Sequence, residues 1–251
     1  VPVMTFSATA ASVLYNDLEP IFVDINKNNL NINFEDLKRK YTRDCVAVMA
    51  VHFGGHPCEM DKITNWAKKK KLIVIEDCAH TLGGEFKGKK LGTWGDFGCF
   101  SFEDKKIIST GDGGSLCANS KRKFELLKSI SFHGWSKDPW ERHTKRDQKN
   151  HWYYQIENLG FKYNMTNLIA SIAIIQLKKL KQFNKIKIKL IEEYINKLKN
   201  LKHFKFAIDY NLKNSCYWLF ILKTKKRDKF INFLKSKGIS STVHLMPLNY
   251  H

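Results

Sequence analysis

Two short and almost wholly apolar runs, Cys45 to Val51 and Leu72 to Ile75, flank a segment in which Ile63, Trp66 and Ala67 recur at helical spacing after Asp61. Runs without polar alternation suit strands buried on both faces, and parallel neighbours need a crossover helix between them. A strand, a helix and a second strand in this order commit the chain to an α/β sheet covered by helices. Asp61 serves as a cap or a first-turn charge for the helix. Pro20 to Ile25 predicts a further strand, and Gly98 to Phe102 and Ser115 to Ala118 predict two more, separated by a stretch that ends in Thr110-Gly111-Asp112-Gly113-Gly114.

Beyond this sheet, Leu168, Ile172, Ile175, Leu190, Tyr194 and Leu198 keep helical spacing from about Asn167 to Leu201, predicting a long helical connection. A smaller α/β unit begins after it: a strand over Tyr217 to Leu222, a helix over Arg227 to Lys237 stopped by Gly238, and a strand over Ile239 to Val243. The expected division is a large domain over 1–182 and the start of a small one over 183–251. At 251 residues and 43% hydrophobic, the chain can bury a core of that size. There is no internal repeat and no low-complexity linker.

The formal charge of +19 raises nucleic acid and acidic membranes as partners. The excess is mostly lysine in short helical runs, Lys68 to Lys71 and Lys178-Lys179-Leu180-Lys181, and no binding motif interleaves it. Solvated lysine faces are the expectation, with no nucleic acid and no membrane. Cys45, Cys58, Cys78, Cys99, Cys117 and Cys216 are widely separated and lack metal-site or disulfide-framework spacing, so reduced thiols, no metal and a cytoplasmic setting are expected. No apolar run is long enough to span a bilayer, and no charged-then-apolar leader opens the chain. Its start at Val1-Pro2-Val3-Met4 reads as the middle of a domain.

Asp77 follows Leu72-Ile73-Val74-Ile75-Glu76 and so sits at the carboxyl end of a buried strand, where open α/β sheets place ligand-binding groups. A carboxylate there is costly unless paired; it caps the following turn or meets a cationic ligand. Lys106 lies downstream, just ahead of the glycine turn. A lysine, a carboxylate and a glycine turn suit pyridoxal phosphate (PLP): the amine forms a Schiff base with its aldehyde, and the carboxylate keeps its pyridine nitrogen protonated. Lys105 is the competing amine. Gly111, Gly113 and Gly114 suit a tight turn needing positive φ and a close backbone approach to the site.

The blocks Ile75-Glu76-Asp77-Cys78-Ala79-His80, Phe100-Ser101-Phe102-Glu103-Asp104-Lys105-Lys106 and Ser109-Thr110-Gly111-Asp112-Gly113-Gly114 resemble the DegT/DnrJ/EryC1/StrS family of sugar aminotransferases. Pro2 to Ala10, Phe22-Val23-Asp24-Ile25, Val51-His52-Phe53-Gly54-Gly55 and Leu159 to Thr166 extend the resemblance over essentially the whole chain. It implies the type I PLP-enzyme fold, a large domain with a mainly parallel seven-stranded sheet plus part of a small α/β domain. The family's glycine-threonine phosphate loop and the end of its small domain have no counterpart here. A fragment lacking both termini is expected, one that folds poorly or holds cofactor weakly by itself.

Position by position, the resemblance implies that Lys106 forms the Schiff base and shuttles the proton between substrate carbon and cofactor, while Asp77 holds the pyridine nitrogen. Ser101 would bind the phosphate, Phe6 would stack on the ring and His80 would lie near the phenolic oxygen. Asn164 would reach the phosphate of the neighbouring subunit's cofactor, giving a homodimer with shared sites. Ser131-Phe132-His133-Gly134-Trp135 leads toward a substrate loop, so His133 and Trp135 become candidate substrate residues. The loop from Lys137 to Tyr154, rich in Trp, Arg and His, could receive a diphosphate or base. His244 matches a position near the mouth. The implied activity moves an amino group, from glutamate, onto a nucleotide-linked keto sugar through pyridoxamine phosphate, for a surface glycan. The alternatives are a PLP-dependent sugar dehydratase, which carries histidine where Lys106 stands, and a non-catalytic binding or regulatory homologue.

Overall fold

The computed structural model describes residues 1–136, 144, 152–201, 203–208, 210 and 216–250. Its helices are α1 (Ser7–Leu14), α2 (Phe34–Lys40), α3 (Met60–Lys70), α4 (Lys121–Ile130), α5 (Asn167–Leu198) and α6 (Arg227–Ser236). Its strands are β1 (Ala47–Val51), β2 (Ile73–Asp77), β3 (Glu85–Phe86), β4 (Lys89–Lys90), β5 (Phe97–Ser101), β6 (Gly114–Ala118), β7 (Lys205–Phe206) and β8 (Leu222–Lys223). The main sheet runs β1-β2-β5-β6. The first two pairings are parallel, and β6 turns back antiparallel to β5.

The strand-helix-strand reading holds, because α3 lays one face on the sheet. Met60, Ile63 and Ala67 are 0%, 1% and 0% exposed. They pack with Val48, Ala50, Leu72 and Val74 in one core. Burying side chains the size of Met60 or Ile63 contributes about 1.5–3 kcal/mol each. Asp61 is the first-turn charge rather than the cap, since Glu59 holds the cap position. Asp61 also accepts a hydrogen bond from Lys87 at 2.6 Å.

The sheet has four strands among the described residues, not seven. Pro20 to Ile25 is not a strand. Val23 bridges Pro2 and Ile25 bridges Ile32 as single contacts. Between them the Asp24 N–H donates to the Asp36 carboxylate at 2.7 Å, which removes it from any ladder. Tyr217 to Leu222 forms a strand only at its end, in β8, because the N–H groups of Trp218 and Leu219 donate instead to the Gly54 carbonyl, at 2.9 and 3.1 Å. Ile239 to Val243 has no ladder partner among the described residues, and Ile239 and Val243 are exposed. The helix expected after Arg227 forms and ends before Gly238, whose φ is +74°.

The long helix runs unbroken through the 182/183 division. Ile191 joins Ala207, Ile208, Tyr210 and Tyr217 in a second apolar cluster. This cluster meets the first part of the chain at Gly55, where an added Cβ would lie 2.5 Å from the Tyr217 Cα. All six cysteines are free. Among the described residues no helix is long and apolar enough to cross a membrane.

Candidate active site

Strand register places Asp77 opposite Val51 on one side and Cys99 on the other, at the carboxyl end of the central pair. Its Oδ2 accepts a hydrogen bond from Thr9 Oγ1 at 2.9 Å, and its Oδ1 accepts from the Ala79 N–H at 3.1 Å. Thr9 is joined in turn to Thr5 by a 2.7 Å hydroxyl pair. The carboxylate is therefore aimed and held by α1 and by its own following turn, with lone pairs to spare for a further donor.

Glu76, one residue earlier, points to the opposite face and is fully buried. It accepts four hydrogen bonds: from Trp94 N at 2.6 Å, Gly95 N at 2.8 Å, Gly92 N at 2.9 Å and His52 Nε2 at 3.1 Å. His52 Nδ1 accepts from the Cys58 N–H at 3.0 Å, so the ring proton sits on Nε2. Burial alone pushes the Glu76 carboxyl up. The His52 bond and the Gly95 and Gly92 N–H groups outweigh it and hold the carboxyl below its ordinary value. His52, Glu76 and Cys78 bring three potential metal ligands together, but this hydrogen bonding already occupies the histidine and the carboxylate.

Between β5 and β6, Phe102, Ile107 and Ile108 are buried and pin the loop that carries the two lysines. Lys105 is exposed, whereas Lys106, next to the buried isoleucines, is half-buried. Burial pushes the Lys106 amine below its ordinary value, against the pull of Glu103 and Asp77 and with the push of Lys105. Of the two amines, Lys106 is thus the one presented toward Asp77. Gly111 and Gly113 have φ of +84° and +107°, as the turn requires. Gly114 is needed for a different reason: a Cβ there would lie 2.4 Å from the Phe100 carbonyl oxygen.

His80 is 6% exposed, and its Nδ1 accepts the Gly54 N–H at 3.2 Å. Burial first, then the charge of Lys106, lowers its imidazole to about 3. Trp218 stacks on it with centroids 4.1 Å apart and planes at 23°. The His244 ring lies 4.8 Å from Trp218 and 5.7 Å from His80. Lys106 Nζ stands over the Trp218 ring, 4.4 Å from its centroid. Four side chains distant in sequence thus meet beside Asp77.

Ser101 ends β5, and its Oγ accepts the Glu103 N–H at 3.4 Å. Phe6 caps α1 and is 61% exposed, so its ring has a free face. The remaining candidates, His133, Trp135 and Asn164, come from the segment between α4 and α5. Trp135 stacks on Tyr154 at 4.0 Å and meets Phe132 edge-on at 5.0 Å, and Phe132 in turn meets His133 at 5.4 Å. Trp135 and Asn164 line a cleft of about 1160 Å³ that extends along α4 from Ser120 to Ser131 and also takes in Ile73 and Phe97. An added Cβ at Gly113 would lie 3.7 Å from the Met165 side chain, so Asn164 adjoins a residue packed on the glycine turn that follows Lys106. Residues 137–143 and 145–151 of the expected substrate loop lie outside the described residues.

The model of the DegT/DnrJ/EryC1/StrS aminotransferase family matches residues 1–251. The chain belongs to this family. The uncharacterized protein MJ1066 of Methanocaldococcus jannaschii is 40% identical over 98% of this chain and 65% of its own length. GDP-perosamine synthase of Escherichia coli O157:H7 is 32% identical over 99% of this chain and 66% of its own. Both are spanned for just under two thirds of their length. The crystal structure of AtS13 from Actinomadura melliaura shares the fold with a TM-score of 0.90, at 23% identity over 100% of this chain and 67% of that one.

Against this DegT/DnrJ/EryC1/StrS background, sequence reasoning missed three site residues. Thr9 lies within Pro2 to Ala10, but its bond to Asp77 spans 68 residues and leaves no local signal. Glu76 was legible only as a charge at the end of an apolar strand. Trp218 was read as a strand residue, and nothing near it in sequence points to His80 or Lys106.

Proposed function

We propose that the protein is a PLP-dependent aminotransferase acting on a nucleotide-linked keto sugar. The observation that carries this reading is the convergence of Asp77 and Lys106 at the carboxyl end of the sheet, one a carboxylate fixed by Thr9 and Ala79, the other a half-buried amine with a lowered proton affinity. That donor set fits the cofactor: an anionic group for a pyridinium, an amine for an aldehyde, and a strand-end serine hydroxyl for a phosphate. When bound, PLP supplies an electron-withdrawing ring and an aldehyde that exchanges amino groups.

Asp77 would hold the ring nitrogen, Ser101 would donate to the phosphate and Phe6 would cover the ring. His80, neutral with its proton on Nε2, can donate toward an anionic phenolic oxygen without adding charge. Lys106, released by the incoming amine, would move the proton at the substrate carbon. Asn164 is exposed, which suits a role across a two-fold interface in a homodimer. The relative named GDP-perosamine synthase supports a nucleotide sugar as acceptor, and glutamate is the proposed donor. The six free thiols suit a cytoplasmic enzyme. The large-domain and small-domain division at 182/183 is proposed on the same family pattern.

The test uses the two half-reactions. Glutamate should bleach the absorbance of the cofactor-loaded full chain, and a nucleotide-linked 4-keto sugar should restore it. Bleaching without restoration by any keto-sugar nucleotide would overturn the acceptor class, and no bleaching would overturn the transaminase.

A further inference from the structure

We infer that Trp218 is a positioning residue for Lys106, a fixed aromatic plate that sets where the amine rests and closes it off from water. The inference rests on Lys106 being the cofactor amine proposed above. Trp218 comes from the segment after α5, yet it is tied to the site at three points. Its backbone N–H donates to the Gly54 carbonyl at 2.9 Å. Its ring stacks on His80. Its Nε1–H donates to the Lys105 carbonyl at 2.6 Å, across 113 residues of chain.

A tryptophan held at backbone, ring face and ring edge cannot swing freely. The same indole that grips the Lys105 peptide carries the Lys106 ammonium over its ring at 4.4 Å. The backbone bond fixes where the lysine side chain starts, and the cation–π contact fixes where it ends. Gly54 and Gly55 make the approach possible, because at Gly55 a Cβ would lie 2.7 Å from the Trp218 N.

The charged and titratable groups facing Lys106 are Glu103 and Lys105 on its own loop, Asp77 at the end of β2, and His80 and His244 around the indole. Removing the plate leaves these in place and admits water. Loss of the cation–π contact acts the other way, but burial is the largest influence on the Lys106 amine, so on balance its proton affinity should recover.

The experiment measures acylation of Lys106 by an amine-reactive ester against pH in the full chain before cofactor is added, read by peptide mass spectrometry with Lys105 as internal control. In Trp218→Gln the Lys106 midpoint should move to higher pH, toward the ordinary lysine value of about 10.4, with labelling at pH 8 roughly three- to tenfold slower. Trp218→Phe keeps a ring face and should keep the wild-type midpoint. Lys105 should not change in either. A second measurement avoids substituting the plate. The emission due to Trp218, taken as the difference from Trp218→Phe, should change in intensity when Lys106→Met removes the ammonium over the ring. An unmoved midpoint in folded Trp218→Gln, an equal move in Trp218→Phe, or unchanged emission in Lys106→Met would each overturn the assignment. None of these readouts needs PLP, so they fail or succeed separately from the transaminase reading.

Discussion

Replacing Glu76 by glutamine should cost about 3–5 kcal/mol of folding stability although it changes one atom. The carboxylate is fully buried and accepts two hydrogen bonds on each oxygen, Trp94 N and Gly95 N on Oε1, and Gly92 N and His52 Nε2 on Oε2. Whichever way the amide turns, its NH2 group faces two N–H donors. His52 cannot adapt by changing tautomer, because its Nδ1 is committed to the Cys58 N–H. Two charge-assisted bonds of about 1.5–3 kcal/mol each are lost and two more lose their charge. The total agrees with the roughly 3–5 kcal/mol seen when one partner of a buried pair is removed. At about 2–4 °C per kcal/mol for a chain of this size, the melting temperature should fall by roughly 6–20 °C. Its folded carboxyl lies below its ordinary value, so the stability it contributes is present above the unfolded value of about 4.3 and is lost as pH falls through the folded one. Urea and thermal unfolding of wild type and Glu76→Gln, at neutral pH and at successively lower pH, measure both effects. The gap should be widest at neutral pH and narrow in acid. A loss under 1 kcal/mol, or a gap that widens in acid, would refute the reasoning.

Four further outcomes are expected. Asp77→Asn should lower turnover by orders of magnitude with a smaller loss of cofactor binding, since an amide cannot keep the pyridine nitrogen protonated; unchanged turnover would remove Asp77 from the site. Thr9→Val should leave Asp77 with one of its two hydrogen bonds and cost about 1–3 kcal/mol in stability, seen in unfolding, or in transition-state stabilisation, seen in kcat/KM. The His80 ring, lowered to about 3, should show no titration by NMR between pH 8 and pH 5, and a midpoint near 6.5 would show that it is not buried beside Lys106 as described. Mixing inactive Lys106→Ala chains with inactive Asn164→Ala chains should restore some activity, because one of the two sites in a heterodimer would carry both intact residues; exchange without recovery would place Asn164 in its own subunit's site.

The elements legible in the sequence were those built from local patterns. β1 and the first part of β2 lie in continuous apolar runs, α3 has a clean helical stripe, and α5 repeats its apolar positions over 32 residues. Asp77 was legible because it ends such a run. Where a segment's partner lies far away in sequence, the pattern misled. Pro20 to Ile25 looks like a strand, yet the Asp36 carboxylate takes its central N–H. Tyr217 to Leu222 looks like one too, yet its first N–H groups go to Gly54. Composition could not announce Trp218 either, since its role is a set of contacts with His80, Lys105 and Lys106. Of the two roles that suit the glycines, positive φ holds at Gly111 and Gly113, whereas Gly114 lets β6 pass the Phe100 carbonyl.

The most direct test of the site is to load the full chain with PLP, reduce with borohydride, which fixes the cofactor to whichever lysine holds it, and map the labelled peptide. The half-buried amine beside Asp77 and Trp218 should carry the label, at Lys106, and Lys106→Ala should abolish transamination while Lys105→Ala keeps most of it. A label on the exposed Lys105, or none on either lysine of the loop, would contradict it.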